Sequence, residues 1–495
     1  MKILLTGASG VMGLATLREL VDAKIPVRAF CLDQPRELQK IRRVSRAIEL
    51  FPGDLRCYED VYRSLDGVDM ILHCGGIIPP LADKDPKLTM QINYGAVRHI
   101  LRALRERGRE QSCRLVFISS VAVYGDRQPP IHWCRIGDPI KCSYYDYYSL
   151  SKIACERLII ESNVKDWVIL RQTGVLSPSM IGQRSSLIFH QPLTNVLEYL
   201  SDRDSGRLLC RIVQHPELPI WGNLYNLGGG TSLRLPFFRL FQLAFGSMGF
   251  PNISRVLDPK CFAQSNFHGV YYLDSHLLND LYSYVEDGSE YIRTCSDRYL
   301  KGFGGLVRAL MHITPLRRLA EALLRRQLLG LSRAENGPLR MIEEEDKDRI
   351  QAFFIDRTHW ENTPAMEQLA KDIDYEKQAP LSHGYDESKP AKKLSIEDMR
   401  AAAAFRGGLC QSESMQEGDW KTPLSFCCAN HHRFQASPTL VLKGGHWCPE
   451  CEKKSWKPQE IAASNPFFAQ VWYPLHSKDE PLLEVKKVID EDAIV

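Results

Sequence analysis

The chain has 495 residues, 44% hydrophobic and 25% charged, with a formal net charge of +3. That is ordinary globular material of about three domains. The small charge excludes a general nucleic-acid or membrane field, and no apolar run approaches the ~20 residues of a membrane span. Residues 2–5 read as a short strand, followed by a glycine turn and a helical pattern through Leu14, Leu17, Leu20 and Val21. Further strands are expected at 27–32, 70–73, 115–118 and 167–171, with helical stretches such as 97–107 between them. This alternation is that of a parallel, doubly wound sheet.

Past Ser185 the pattern loosens, and 224–230 carries one more strand–turn signal. Residues 315–331 read as an amphipathic helix with Leu316, Leu319, Leu323, Leu324, Leu328 and Leu331 on one face, flanked by Arg317, Arg318, Arg325 and Arg326. The helix is expected to pack on its own core; the sharper alternative is contact with an anionic surface or a partner. Residues 374–396 are polar and read as a linker before a compact C-terminal module. The 15 cysteines are mostly scattered, and only Cys427, Cys428, Cys448 and Cys451 cluster, so reduced thiols and a cytoplasmic protein are expected. With the first glycine turn starting at Thr6, no signal peptide is expected before the first strand.

Thr6-Gly7-Ala8-Ser9-Gly10-Val11-Met12-Gly13 lies between a strand and a helix, where glycine spacing implies a dinucleotide site. Gly7 permits the tight turn, Gly10 lets the backbone approach a pyrophosphate, and Gly13 lets the helix pack closely on the sheet. Ser9, Val11 and Met12 complete the turn and bring the helix N-terminus to the anion. Asp33, twenty residues past Gly13, favours a ribose 2′-hydroxyl. The strand could also end at Cys31, and Arg36, Lys40, Arg42 and Arg43 could reach a 2′-phosphate, so the cofactor is written NAD(P). Gly53-Asp54-Leu55 is a second cofactor-side candidate, with Asp54 placed to accept from an adenine amino group.

The segment 118–125 ends a predicted strand with Ser119 and Ser120, and of the tyrosines at 144–148 only Tyr148 has a lysine, Lys152, four residues later. That spacing puts both on one helix face. An ammonium beside a phenol is expected to lower its pKa from ~10, which suits it to proton transfer at a substrate hydroxyl, with Ser120 orienting the same oxygen.

TGASGVMG, GDL, ILHCGG at 71–76, ISSVAVYG, YYSLSK, Arg171-Gln172-Thr173-Gly174 and YNLGGG at 225–230 together resemble the extended short-chain dehydrogenase/reductase family, the NAD-dependent epimerase/dehydratase type. The resemblance covers roughly the first 250 residues. It implies an α/β fold with a doubly wound parallel Rossmann sheet and a smaller substrate lobe, to which the C-terminal Cys/His pattern adds a zinc-binding module. It implies Tyr148 as acid/base, Lys152 on the nicotinamide ribose, and Ser120 positioning the reacting oxygen. Cys74, Gly75 and Gly76 would line the middle of the cofactor, with Asn93 opening the next helix and Gln172 and Thr173 beside the nicotinamide. Val121 and Ala122 stand where sugar dehydratases of this family carry Asp-Glu, which argues against that elimination. Gly174 replaces an asparagine common in nucleotide-sugar enzymes. Oxidation, reduction or epimerisation at a secondary alcohol or ketone remains. The substrate is a small molecule, a carrier- or lipid-linked one being one reading. A dinucleotide-sensing binding protein is the competing reading.

Cys428 and His432 precede the Cys448-Pro449-Glu450-Cys451 knuckle, four ligands suited to a tetrahedral structural Zn²⁺. Cys427 and His431 are the register alternatives. The stretch resembles treble-clef and zinc-ribbon modules. Its near-balanced charge favours protein contact, self-association or substrate gating over nucleic acid. The expected division is 1–185 for the dinucleotide-binding domain with a return segment at about 220–245, 186–373 for the substrate lobe and helical extension, 374–396 for the linker, 397–475 for the zinc module and 476–495 for a tail.

Overall fold

Seven short apolar runs pair in parallel to build one sheet. In the computed structural model, β1 (Ile3–Thr6), β2 (Val27–Cys31), β3 (Glu49–Pro52), β4 (Met70–His73), β5 (Arg114–Ser120), β6 (Trp167–Gln172) and β7 (Asn223–Leu227) lie in the order β7-β6-β5-β4-β1-β2-β3. All residues are described except 183, 479, 481, 482, 484 and 486–495, so most of the tail expected at 476–495 lies outside the described residues. Strand β1 pairs with β2 on one side and β4 on the other, setting Thr6 between Phe30 and His73. The chain order reverses there, and the crevice beyond the carboxyl ends of β1 and β4 is where open α/β sheets hold ligands. Every residue of β1, β2, β4 and β6 is buried, because both faces of the sheet are covered.

The helices that position the site are α1 (Val11–Asp22), α2 (Gly95–Glu106), α3 (Tyr147–Ile160), α4 (Pro178–Ile181), α5 (Asp202–Gln214), α6 (Glu290–Tyr299), α7 (Gly304–Met311), α8 (Thr314–Ser332), α9 (Ile396–Phe405) and α10 (Pro449–Glu452). Helices α1 and α5 cover one face of the sheet with Leu17, Leu20, Leu208, Leu209 and Ile212. The other face is covered by Ile100 and Leu104 of α2 and Cys155 and Ile159 of α3. That second apolar cluster runs on without a break into Leu394, Met399, Phe426, Leu440 and Trp447 of the C-terminal region. Within 374–396, His383 is buried and its Nε2 lies 2.9 Å from Asp138 Oδ1.

The C-terminal module has three antiparallel strands, β8 (Leu409–Cys410), β9 (Leu424–Cys427) and β10 (Arg433–Ala436). The region expected to be the substrate lobe is built around an aromatic core that includes Phe189, Phe237, Phe241, Phe245 and Phe262.

One expectation about α8 is corrected. Its bounds match, but its leucines do not form a single buried stripe. Leu324, Leu328 and Leu331 pack on the lobe core, whereas Leu316, Leu319 and Leu323 face outward. At about 100° per residue the two sets form stripes roughly a third of a turn apart, so one helix cannot bury both against one neighbour.

Candidate active site

The glycine turn is shaped by close contacts with the sheet ends. Gly7 has φ +65°, and a Cβ on it would sit 2.7 Å from Gly75 Cα. A Cβ on Gly13 would sit 2.2 Å from the Gly7 carbonyl oxygen, so α1 starts hard against the turn. Gly10 precedes α1 without a side-chain cap, and the first turn holds no acidic residue. The helix therefore offers its first N–H groups and partial positive charge to the crevice. Val11, at the start of the helix, is exposed. Met12 Sδ accepts from Gln172 Nε2 at 2.8 Å, and Gln172 Oε1 accepts from Ser205. The turn thus touches the end of β6. Ser9 is bonded to Glu37, which lies two turns past β2 and is held below the usual carboxylate range by Lys40 first and Ser9 second.

Strand β2 ends at Cys31, which leaves Asp33 exposed in the following turn. Asp54 accepts from Arg56 Nη2 at 2.6 Å, and this pairing lowers its pKa. Leu55 is closer to the crevice, with its Cδ1 2.7 Å from where a Gly75 Cβ would be. Beyond β4, the Gly75 N–H donates to Thr6 Oγ1 at 3.0 Å, and the Cys74 thiol beside it is pushed up to about 12 by burial. Gly76 lies against Asn93. Asn93 does not cap a helix. It sits inside a π-turn before α2, accepts from Ile77 N at 2.8 Å, and donates to Ile77 O and to Ser151 Oγ of α3. It therefore pins the loop after β4 to α3.

Strand β5 delivers Ser120 at its very end, and Asp146 caps α3 by accepting from Ser149 N at 2.8 Å. Tyr148 follows in the first turn of α3 and is bonded to Ser120. Lys152 Nζ donates to Ile118 O at 2.7 Å and lies 5.6 Å from the Tyr148 ring centroid. The three residues named as a set thus stand together at the end of β5.

Their electrostatics differ from the sequence expectation. Tyr148 is pushed up to about 12, not down. Burial of the phenol dominates, the Ser120 hydrogen bond pulls the other way, and Asp146 adds to the rise. The Lys152 ammonium lies over the ring and is spent on a main-chain carbonyl, so it does not offset the desolvation. Its own pKa is lowered by burial. Two of its three N–H bonds remain for other acceptors.

Sequence reasoning missed two groups. His73 is the first: its Nδ1 lies 2.7 Å from Thr6 Oγ1, its Nε2 is buried without a hydrogen-bond partner, and burial with Lys152 pushes it down to about 3. It is therefore neutral beside the lysine. Glu156 is the second, and the Tyr148–Lys152–Glu156 spacing of four was the signal that could have found it. Arg171, one residue before Gln172 on β6, points to Glu156. Both are fully buried, with Arg171 Nη2 2.7 Å from Glu156 Oε2. Arg171 also donates to Tyr124 Oη at 3.0 Å and to the Gly444 carbonyl at 2.6 Å, while Ser119 bonds Glu156. Thr173 is buried at the same strand end, with no hydrogen-bond partner for its hydroxyl.

From Glu156 the polar chain continues into the C-terminal module. His446 lies between Glu156 (3.8 Å) and Glu452 (3.3 Å), and Arg157 Nη2 donates to both Glu452 Oε2 and the Trp447 carbonyl at 2.8 Å. Beside Glu452, the ligand atoms of Cys428, His432, Cys448 and Cys451 all lie within 4.8 Å of one another. His432 Nδ1 is 3.4–3.5 Å from each of the three sulfurs. His431 takes φ +63° in the turn, which turns His432 rather than His431 toward the sulfurs. The donor set and its spacing fit one tetrahedral soft-to-borderline cation, and they favour the Cys428/His432 register over Cys427/His431.

Residues 3–228 match the model of the NAD dependent epimerase/dehydratase family. Mouse sterol-4-alpha-carboxylate 3-dehydrogenase, decarboxylating, is 23% identical over 280 residues, covering 49% of this chain and 74% of that one. UDP-glucose 4-epimerase of Pasteurella multocida strain Pm70 is 23% identical over 269 residues, covering 50% and 72%. Among solved structures, a UDP-glucose-4-epimerase from Stenotrophomonas maltophila with bound NAD superposes with a TM-score of 0.50 at 16% identity, covering 62% of this chain and 99% of that one. The fold is shared, residues 3–228, just under half of the chain, are similar to the NAD dependent epimerase/dehydratase family, and the chain is an enzyme.

Proposed function

We propose that this enzyme is an NAD(P)-dependent oxidoreductase or epimerase of the extended short-chain dehydrogenase/reductase type, acting at a secondary alcohol or ketone with Tyr148 as acid/base. The observation that carries the reading is the grouping of Ser120, Tyr148 and Lys152 at the end of β5, facing the crevice lined by the glycine turn. When bound, the nicotinamide supplies or takes a hydride at the substrate carbon. Tyr148 holds the proton for the substrate oxygen, and with its pKa at about 12 the phenol is protonated at neutral pH, ready to give that proton to a ketone oxygen. Ser120 orients the same oxygen, and Lys152 places its free N–H bonds toward a ribose. Gly7, Ser9, Gly10, Val11, Met12 and Gly13 form the pyrophosphate cradle, and Leu55, Cys74, Gly75, Gly76 and Asn93 its far wall. Asp33 or Asp54 meets the adenosine end, and Gln172 and Thr173 the nicotinamide end. Residues 186–373 shape the substrate pocket.

In this reading the C-terminal module holds a structural Zn²⁺ on Cys428, His432, Cys448 and Cys451. Four protein ligands leave no open position for a reacting group. The test is turnover of Tyr148→Phe on a panel of secondary alcohols and ketones with NAD and NADP. A loss of about 10²–10⁴-fold is expected, whereas unchanged turnover would sink the assignment and leave a dinucleotide-binding role.

A further inference from the structure

We infer that the α7–α8 hairpin is a docking surface for an anionic lipid bilayer. Phe303, Leu306, Leu310, Ile313, Leu316, Leu319 and Leu323 follow one another at spacings of three and four along α7, the connecting turn and the first half of α8. All are exposed, Phe303 at 64% and Leu319 and Leu323 at 59%. Tyr299, at the end of α6, extends the row. Single exposed leucines need no explanation, but a run of seven along one hairpin is a patch that a soluble surface rarely carries.

The charge around the patch selects the occupant. Residues 298–333 contain eight lysines and arginines and one acidic residue, Glu321. Glu321 is buried and paired with Arg317 and Arg318, so it does not offset the field outward. Arg298, Lys301, Arg318 and Arg326 are exposed beside the leucines. The half-exposed Asp297 at the base of the ridge is taken up by Arg308, and an apolar ridge rimmed by the exposed cations Arg298, Lys301, Arg318 and Arg326 matches the interface of a membrane, where acyl chains lie beneath anionic headgroups.

The hairpin does not span. Among the described residues no helix is long and apolar enough to cross a membrane. The inward leucines of α8 are held by the lobe core, so the outer stripe alone is free to enter the headgroup layer. The hairpin is also close to the active crevice. Helix α6 packs on α4, and a Cβ on Gly182, next to α4, would lie 2.8 Å from the Tyr299 ring. Helix α4 begins six residues beyond the end of β6, so the docking surface joins the wall of the substrate lobe.

The test is co-sedimentation of the full chain with phosphatidylcholine vesicles, with and without phosphatidylglycerol. Binding to the anionic vesicles that weakens with salt is expected. The triple variant Leu316→Asp, Leu319→Asp, Leu323→Asp should lower it at least tenfold, with an unchanged thermal midpoint showing that the fold survives. Arg298→Gln with Lys301→Gln and Arg326→Gln should lower anionic binding by about tenfold or more without a core change. Failure of the wild-type chain to sediment with either vesicle overturns the proposal. A dimer in light scattering that Leu319→Asp splits while vesicle binding persists overturns it too, because the ridge would then belong to a second copy.

Discussion

Replacing Glu156 with glutamine isolates the buried charge that ties α3, the helix carrying Tyr148 and Lys152, to its surroundings. Arg171 and Glu156 have fully buried side chains, and two guanidinium nitrogens reach the carboxylate. Glutamine keeps the size and one acceptor but removes the countercharge. The other acceptors of Arg171, Tyr124 Oη and the Gly444 carbonyl, are neutral and cannot replace it. Removing one partner of such a pair costs roughly 3–5 kcal/mol, most of it from the charge left behind. The proton equilibrium gives an independent figure. Burial alone would raise Glu156, but Arg171, and after it His446, hold it down at about 2 against an ordinary 4.5. At ~1.4 kcal/mol per pH unit that is roughly 3 kcal/mol. The sign follows from a lowered carboxylate: its contribution is complete above about pH 4.5 and is lost as the pH falls toward about 2. Urea unfolding followed by tryptophan fluorescence should therefore show Glu156→Gln less stable by roughly 3 kcal/mol near neutral pH. The gap should close in acid, where the wild type loses what the variant never had. A deficit under about 1 kcal/mol, or an equal acid slope in both proteins, would refute this account of the network.

Three further outcomes follow from the same geometry. With the phenol at about 12, the rate of alcohol oxidation should climb as the pH rises from neutral into the alkaline range, because the base form of Tyr148 grows, while ketone reduction should show no such climb; pH profiles of kcat/KM in both directions check this, and a flat oxidation profile counts against Tyr148 as base. Gly13→Ala places a methyl 2.2 Å from a main-chain oxygen, so the turn must open. A loss of about 1–3 kcal/mol in stability and a raised dinucleotide Kd, read by titration calorimetry, are expected. Cys448→Ser should remove the metal found by elemental analysis of the wild type and lower the thermal midpoint, since a small module draws much of its folding energy from its ion. Metal-free wild type of unchanged stability would contradict it.

The sheet and the glycine turn were legible because they depend on local rules. Parallel strands buried on both faces read as unbroken apolar runs, and Gly7, Gly10 and Gly13 mark a turn that few other residues can make. The grouping of Ser120, Tyr148 and Lys152 was legible through helical spacing and the strand end. The direction of the Tyr148 shift was not, because desolvation depends on what covers the ring, and no spacing reveals that. The split of the α8 leucines was hidden for a related reason. A helical wheel shows an apolar sector but not how much of it a neighbour covers. The Arg171–Glu156 pair was not legible because its members come from different elements, and the two meet only once β6 and α3 pack.

The same long-range packing bears on what the C-terminal module does. A freely appended domain would meet the sheet through exposed polar contacts. Here Phe426, Leu440 and Trp447 belong to the apolar cluster that covers one face of the sheet, and that cluster also holds Cys155 and Ile159 of α3. Along α3 the division of labour is by turn. Tyr148 and Lys152 stand at the crevice, while Glu156 and Arg157, one turn on, hold His446, Glu452 and the Trp447 carbonyl. Glu452 directly follows Cys451, so the four-ligand cluster fixes the turn that supplies its carboxylate. Opening that cluster would free Glu452, leave Arg157 unpaired, and loosen the end of the helix whose first turn carries the phenol. The module thus packs as a buttress on the helix that carries Tyr148 and Lys152, and opening its cluster is expected to disturb that helix.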